Sequence, residues 1–337
     1  MDQILVVAIA LVKSLVIFFG LILGAAYSTL LERKVLARMQ VRSGPNRWGP
    51  RGILYPLADA VKMLFKEDSI PAGADKLVFW LAPGLSVMAA MMAYAVIPVG
   101  PKVNIYGMPI DFQLADVGVG ILFLLAVSSL GVYGIVLGGW ASNSKYSLLG
   151  SLRSSAQMVS YELGMGMAIL SVVLTVGSLR LSDIVNYQAL LPLVVLQPLA
   201  FVLYTVSVIA ENNRAPFDLP EAEQELVAGY FTEYTGLKFA MYYLAEYVNM
   251  ITNSSIATTL FLGGYHAPFP GLPGMVDGVW WFVIKVAILM FGYIWIRATL
   301  PRLRYDRLMR LGWQVILPAG LLNLVATAVI IAMNVPA

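Results

Sequence analysis

Apolar residues gather into eight long blocks along the chain, approximately 4–31, 77–98, 117–140, 154–177, 189–210, 238–262, 279–299 and 312–333. A helix needs about 20 apolar residues to cross the hydrocarbon. Lipid offers an isolated segment no other way to satisfy its backbone, so each block predicts a spanning helix. Between the first two blocks, apolar Leu57, Val61, Leu64 and Phe65 interleave with Asp59, Lys62 and Lys66. That is helical periodicity, opened by Pro56, a residue tolerated in a first turn. At about 16 Å it is too short to span, so it should lie in the interface with its apolar face toward lipid or a lipidic ligand. The predicted fold is an all-α polytopic membrane protein: about eight transmembrane helices plus one short interfacial amphipathic helix, in a single membrane domain over 1–337. The first block lacks a basic leader and is too long for a signal core, so it is expected to be retained. No internal repeat is evident.

Composition agrees. The 337 residues are 59% hydrophobic and only 12% charged, with a mean hydropathy of +0.79. Soluble chains carry about twice that charged fraction. Eighteen of the 22 Lys and Arg fall in or beside the connections after the first, third, fifth and seventh blocks, whereas only Lys102 and Arg180 mark the opposite side. Cations stay inside, so both termini should face outward and the long inward loops should be 32–76, 141–153, 211–237 and 298–311. The net charge of +3 adds little to this asymmetry, and no nucleic-acid partner is expected. The chain has no cysteine and one histidine, His266, read as a solvated residue of an outward loop. Iron–sulfur clusters rest on Cys thiolates and zinc sites on Cys and His. The chain is therefore expected to hold no metal, haem, flavin or iron–sulfur cluster of its own, and partners would supply any redox centre.

The acids point to chemistry. Seven of the nineteen lie between 211 and 246: Glu211, Asp218, Glu221, Glu223, Glu225, Glu233 and Glu246. Glu246 sits eight residues past Lys238, about 12 Å deep, and Glu162 nine past Arg153, about 13 Å deep. A carboxylate at the centre of a membrane helix costs about 3 kcal/mol, and such residues mark ion pathways. The bland reading of Glu162 is a buried pair with a cation such as Lys285; Glu223 and Glu233 could simply be solvated. Prolines 216 and 220 break the chain before a helix expected to restart at Glu221, whose charge faces that of Glu225 one turn on. The basic run ERKVLARMQVRSGPNRWGPRG could be a plain positive-inside anchor, and IRATLPRLRYDRLMRLGW suits docking against a partner.

Taken in order, ERKVLARMQVRSGPNRWGPRG, PLADAVKMLFKE, GWASNSKYSLLGSLRSSAQMVSYE, AENNRAPFDLPEAEQELVAGYFTEY, LAEYVNM and PRLRYDRLM resemble the H-subunit family of respiratory complex I, the proton-translocating NADH:quinone oxidoreductases. The resemblance covers essentially the whole chain. It implies a subunit that forms most of a quinone chamber in an energy-transducing membrane, most simply a bacterial inner membrane. The implied partners are a peripheral subunit with the terminal iron–sulfur cluster, a second resembling a hydrogenase large subunit, and small membrane-arm subunits. Glu32, Arg33, Arg42, Asp59 and Phe65 would line the quinone entrance and tunnel. Arg214, Asp218, Glu221, Glu223, Glu225 and Glu233 would form a charged funnel below it, and Glu211, Glu246 and Glu162 would continue it as a proton relay. No residue is expected to react with substrate directly. The third spanning helix carries only Asp116, at its outer edge, and is left without a place in the relay. A membrane subunit of a hydrogenase-type complex, a self-contained proton or cation transporter and a passive scaffold are the other readings; inverted repeats would favour the transporter, and tolerance of neutral residues at 162 and 246 the scaffold.

Overall fold

The computed structural model describes residues 3–105, 108–218, 227–268 and 276–334. Glu221, Glu223 and Glu225, with the helix expected to restart there, lie outside the described residues. The chain opens with α1 (Gln3–Met39), the short α2 (Tyr55–Leu64), α3 (Lys76–Ala93), α4 (Gly120–Ala141) and α5 (Lys145–Val176). There follow α6 (Leu181–Tyr187), α7 (Leu193–Leu196), α8 (Pro198–Glu211), α9 (Gly236–Phe261), α10 (Val279–Thr299), α11 (Tyr305–Arg310) and α12 (Leu317–Asn334). A π-helical turn, Leu311–Ile316, joins the last two.

Among the described residues, six segments are long and apolar enough to cross a membrane: Val7–Met39, Lys76–Val96, Gly120–Ala141, Lys145–Val176, Val279–Thr299 and Tyr305–Met333. The other two expected blocks depart for physical reasons. Block 189–210 is interrupted at Gln197, where Pro198 removes a backbone donor and starts a new helix. Block 238–262 is one 26-residue helix, α9, but its buried face carries Thr252, Asn253, Ser254, Ser255, Thr258 and Thr259. It faces protein rather than lipid.

Two connections are shorter than 32–76 and 141–153. Helix α1 runs on through Glu32 and Arg33 to Met39, and α5 begins at Lys145. A two-stranded antiparallel hairpin, Val103–Ile105 with Met108–Ile110, is an element the hydrophobic pattern did not foretell. The short helix expected after the first spanning segment forms, with proline in its first turn and none of its residues buried.

Helix α9 is the hub. It packs on α1, α3 and α10, while α5 packs on α4, α8 and α12. The core is small-residue packing: a Cβ on Gly134 would sit 2.1 Å from Ser86 Oγ, and one on Gly150 would sit 2.8 Å from Gly229 Cα. The second contact seats the 227–235 connection against the start of α5. Around it Phe79 stacks on Tyr234 at 4.1 Å, and Tyr242 donates to the Gly134 carbonyl at 3.1 Å. Lys238 lies buried, 3.0 Å from Asp68 and 4.0 Å from the centre of the Trp80 ring. The segment after α2 is thereby fastened to the start of α9.

Candidate functional site

Four elements meet at a buried group of charges. Glu32, 4% exposed on α1, takes the Tyr247 hydroxyl at 2.7 Å and Arg214 Nη1 at 3.4 Å. Arg297, in the last turn of α10, pairs with the same carboxylate oxygen as Arg214. Arg214 also pairs with Glu246 on α9, and its guanidinium lies 4.6 Å from the centre of the Tyr247 ring. Burial works against the Arg214 charge, but Glu246, Tyr247 and Glu32 outweigh it and hold its pKa above the ordinary value. Two cations thus answer two carboxylates, the condition under which buried charges are tolerated.

Arg214 is delivered by a loop built for the purpose. Gln157, fully buried on α5, donates to the Ala210 carbonyl at 2.7 Å and to that of Phe217 at 2.8 Å. Leu303 N donates to the Pro216 carbonyl at 2.9 Å, so the last charged connection is tied to the same loop.

Glu246 opens onto a cavity of about 80 Å³ lined mainly by apolar side chains, with Glu211, Asn212, Asn213, Asn249, Thr252 and Asn253 forming a polar part of its wall. At about 10–15 Å³ for each water, the space suits several. Asn253 donates to Asn212 at 3.2 Å, which donates to the Tyr293 hydroxyl at 3.3 Å. Glu211 Oε2 and Thr252 Oγ1 are buried without a partner among the described residues, as groups that expect water. Glu162 is close enough to Glu211 for the two charges to repel. Its carboxylate takes the hydroxyl of Ser129, so α4, the third spanning helix, contributes a hydroxyl rather than an acid.

On the opposite side of the charge group, a groove of about 620 Å³ runs between α1, α2 and α9. Ala25, Ala26, Met63, Phe239, Ala240 and Leu244 make it oily. Arg33 and Asp59, paired at 2.8 Å, edge it. Tyr247 lines this groove and also touches Glu32 and Arg214, so one side chain joins the groove to the buried charges.

The expected site residues divide accordingly. Glu32, Arg214 and Glu246 are in contact; Glu211 shares the cavity, with Glu162 beside it; Arg33 and Asp59 edge the groove. Phe65, just past α2, points away at 86% exposure. Arg42 bonds Gln40 and lines a separate basic pocket. Asp218 and Glu233 lie in the connection between α8 and α9. Lys285 does not pair with Glu162: it donates to the carbonyls of Leu262, Gly264 and His266 at 2.6, 3.0 and 2.7 Å, capping α9. His266 is half-buried rather than solvated, with Nδ1 2.7 Å from Asp277. Sequence reasoning passed over Arg297 and Tyr247; the signals were a cation ending an apolar helix and a tyrosine beside Glu246. Among the described residues no group of His, Asp and Glu is placed to hold a metal ion.

A family model described as NADH dehydrogenase matches residues 12–328. The first of the NADH-quinone oxidoreductase H subunits of Geobacter metallireducens is 51% identical over 97% of this chain and 98% of its own. The NADH-quinone oxidoreductase H subunit of Thermomicrobium roseum is 52% identical over 93% of this chain and 94% of its own. The corresponding H subunit of Deinococcus radiodurans is 51% identical over the whole of this chain and 86% of its own.

Proposed function

The chain belongs to the NADH dehydrogenase family of NADH-quinone oxidoreductase H subunits, and from that premise we propose that its groove admits quinone while its buried carboxylates couple quinone reduction to proton translocation. It is a multi-pass membrane subunit of an oxidoreductase complex and works with the other subunits of that complex. The finer reading is a single membrane domain of eight spanning segments with both termini outward, seated in a bacterial inner membrane. Peripheral subunits, one with the terminal iron–sulfur cluster and one resembling a hydrogenase large subunit, would close the chamber, and small membrane-arm subunits would flank it.

The observation that carries the proposal is the double placement of Tyr247 and Glu246. Tyr247 borders the oily groove and bonds Glu32; Glu246 pairs with Arg214 and lines the cavity that holds Glu211. A groove of about 620 Å³ falls within the usual range of ligand pockets, about 300–1,000 Å³. Its apolar walls and polar edge suit a flat polar ring on a long apolar tail. Quinone reduced to quinol takes up two electrons and two protons. Negative charge appearing near Glu32 would loosen the hold of Arg214 and Arg297 on their carboxylates and raise proton affinity along Glu246, Glu211 and Glu162. Carboxylates so coupled titrate as a set. Asp218, Glu233 and the acids at 221, 223 and 225 would feed the same funnel.

The test is a photoreactive quinone analogue applied to the intact complex. Labelling should fall on α1, α2 or α9 residues facing the groove, and unlabelled quinone should compete. Labelling confined to the connections around Lys102 and His266 would refute the chamber.

A further inference from the structure

On its other face, α1 ends in a second pocket that the quinone reading does not use. It is open, about 550 Å³, and lined by Leu31, Lys34, Val35, Arg38, Arg42, Ser43, Gly44, Asn46 and Arg51. Four of these are cations and none is an acid. Among the described residues, none of the four forms an ion pair. The turn after α1 is built to gather them. Arg42 N donates to the Ala37 carbonyl at 2.8 Å, Lys34 donates to the Arg51 carbonyl, and Gly44 lies against Lys34 and Ala37. A plain positive-inside anchor needs cations near headgroups but not folded toward one point, where they repel unless an anion joins them.

The floor of the pocket tells what kind of anion. Leu31 and Val35 continue a stripe that runs up α1 through Leu23 and Tyr27, one turn apart and exposed. This stripe lies across α1 from Ala26, Thr29 and Arg33, which line the groove. A free inorganic anion would use the cations and ignore the stripe. An amphiphile would use both, its phosphate among Lys34, Arg38, Arg42 and Arg51 and its acyl chains along Leu31, Tyr27 and Leu23. Basic pockets at the inner ends of membrane helices are the general pattern for acidic headgroups. We propose that this pocket binds an anionic phospholipid, of the phosphatidylglycerol or diphosphatidylglycerol class, on the face of α1 opposite the quinone groove.

The experiment uses the intact complex in vesicles of roughly four parts phosphatidylcholine to one of phosphatidylglycerol, a composition that gives a moderately anionic surface. Trace photoreactive phosphatidylglycerol, with the reactive group in its acyl chain, is compared with phosphatidylcholine carrying the same chain. The anionic probe should label the α1 peptide around Leu23–Leu31 several-fold more, and excess unlabelled phosphatidylglycerol should compete while inorganic phosphate should not. Arg38→Gln with Arg51→Gln should bring labelling down to the phosphatidylcholine level, and Arg38→Lys with Arg51→Lys should keep it. Equal labelling by the two lipids overturns the proposal. So does competition by inorganic phosphate alone, or a carbodiimide crosslink from the Lys variants to an acidic residue of another subunit. If the Gln variant fails to assemble, the two-lipid comparison on the unaltered complex decides.

Discussion

Tyr247 donates its hydroxyl hydrogen to Glu32 at 2.7 Å while its ring faces the Arg214 guanidinium at 4.6 Å. Both contacts are made from the wall of the groove. A hydrogen bond to a buried charged group contributes about 1.5–3 kcal/mol. Tyr247→Phe keeps the ring and loses that bond, but Arg214 and Arg297 still hold Glu32. The expected outcome is normal assembly with quinone reduction lowered several-fold, measured per assembled complex; Tyr247→Leu should be worse. Unchanged turnover in both variants would remove Tyr247 from the working site.

Arg214 answers two buried carboxylates, and removing one member of such a group costs about 3–5 kcal/mol. Arg214→Gln should therefore reduce the yield and thermal stability of the complex. Arg214→Gln combined with Glu246→Gln should recover part of the loss, because the second change removes the stranded charge. Strictly additive losses would mean that the two side chains do not act as a pair.

Glu211 and Glu162 lie close enough for their charges to repel. Neutral Gln at either place should be tolerated by the fold and should lower protons pumped per electron. The double variant should lose less than the product of the single effects, as coupled sites do. Wild-type pumping by both single variants, at full assembly, would make these carboxylates structural.

The opposite end of α9 offers a pH test. Burial acts to raise the Asp277 pKa, but hydrogen bonds from His266 and Ala267 N–H outweigh it and hold the group below its ordinary value. A lowered folded pKa means stability that is present above the unfolded value, about 3.9, and lost as pH falls through the folded one. Hydrogen exchange at Ala267, corrected for intrinsic rate, should stay slow at pH 5 and quicken only below about pH 4. Asp277→Asn should show the fast exchange at neutral pH. Opening of the wild-type loop already at pH 5 would assign control to another group.

Charge asymmetry sets the orientation test. Tyr146, in the first turn of α5, and Val276, just before α10, are exposed, and the chain has no cysteine of its own. An impermeant thiol reagent should reach Tyr146→Cys only from inside and Val276→Cys only from outside. Reaction of both from one side would contradict the eight-segment topology.

Much of this was legible because a charge inside an oily block is conspicuous. Glu162, Glu246 and the Arg214 loop stand out against their neighbours, and Glu32 closes the first block. What stayed hidden depends on which helices touch. Arg297 looks like one more inward cation until α10 lies beside α1, and Lys285 looks free to neutralise Glu162 until it caps α9. The break at Gln197 was equally silent. Apolar side chains continue on both sides of it, so hydropathy cannot register a backbone that changes course, and only Pro198 hints at the place. Gln197 itself is held there by Thr327 at 3.0 Å and Asn323 at 3.3 Å.

That break has an electrical consequence. The 14 residues of α8 extend only about 21 Å, against about 30 Å of hydrocarbon. Its end at Glu211 opens on the cavity shared with Glu246. One charge crossing the full potential exchanges about 2.3 kcal/mol per 100 mV. On the proposed reading, a proton stepping between Glu211 and Glu162 would cross part of that field, and membrane voltage would bear on which of the two carboxylates holds it.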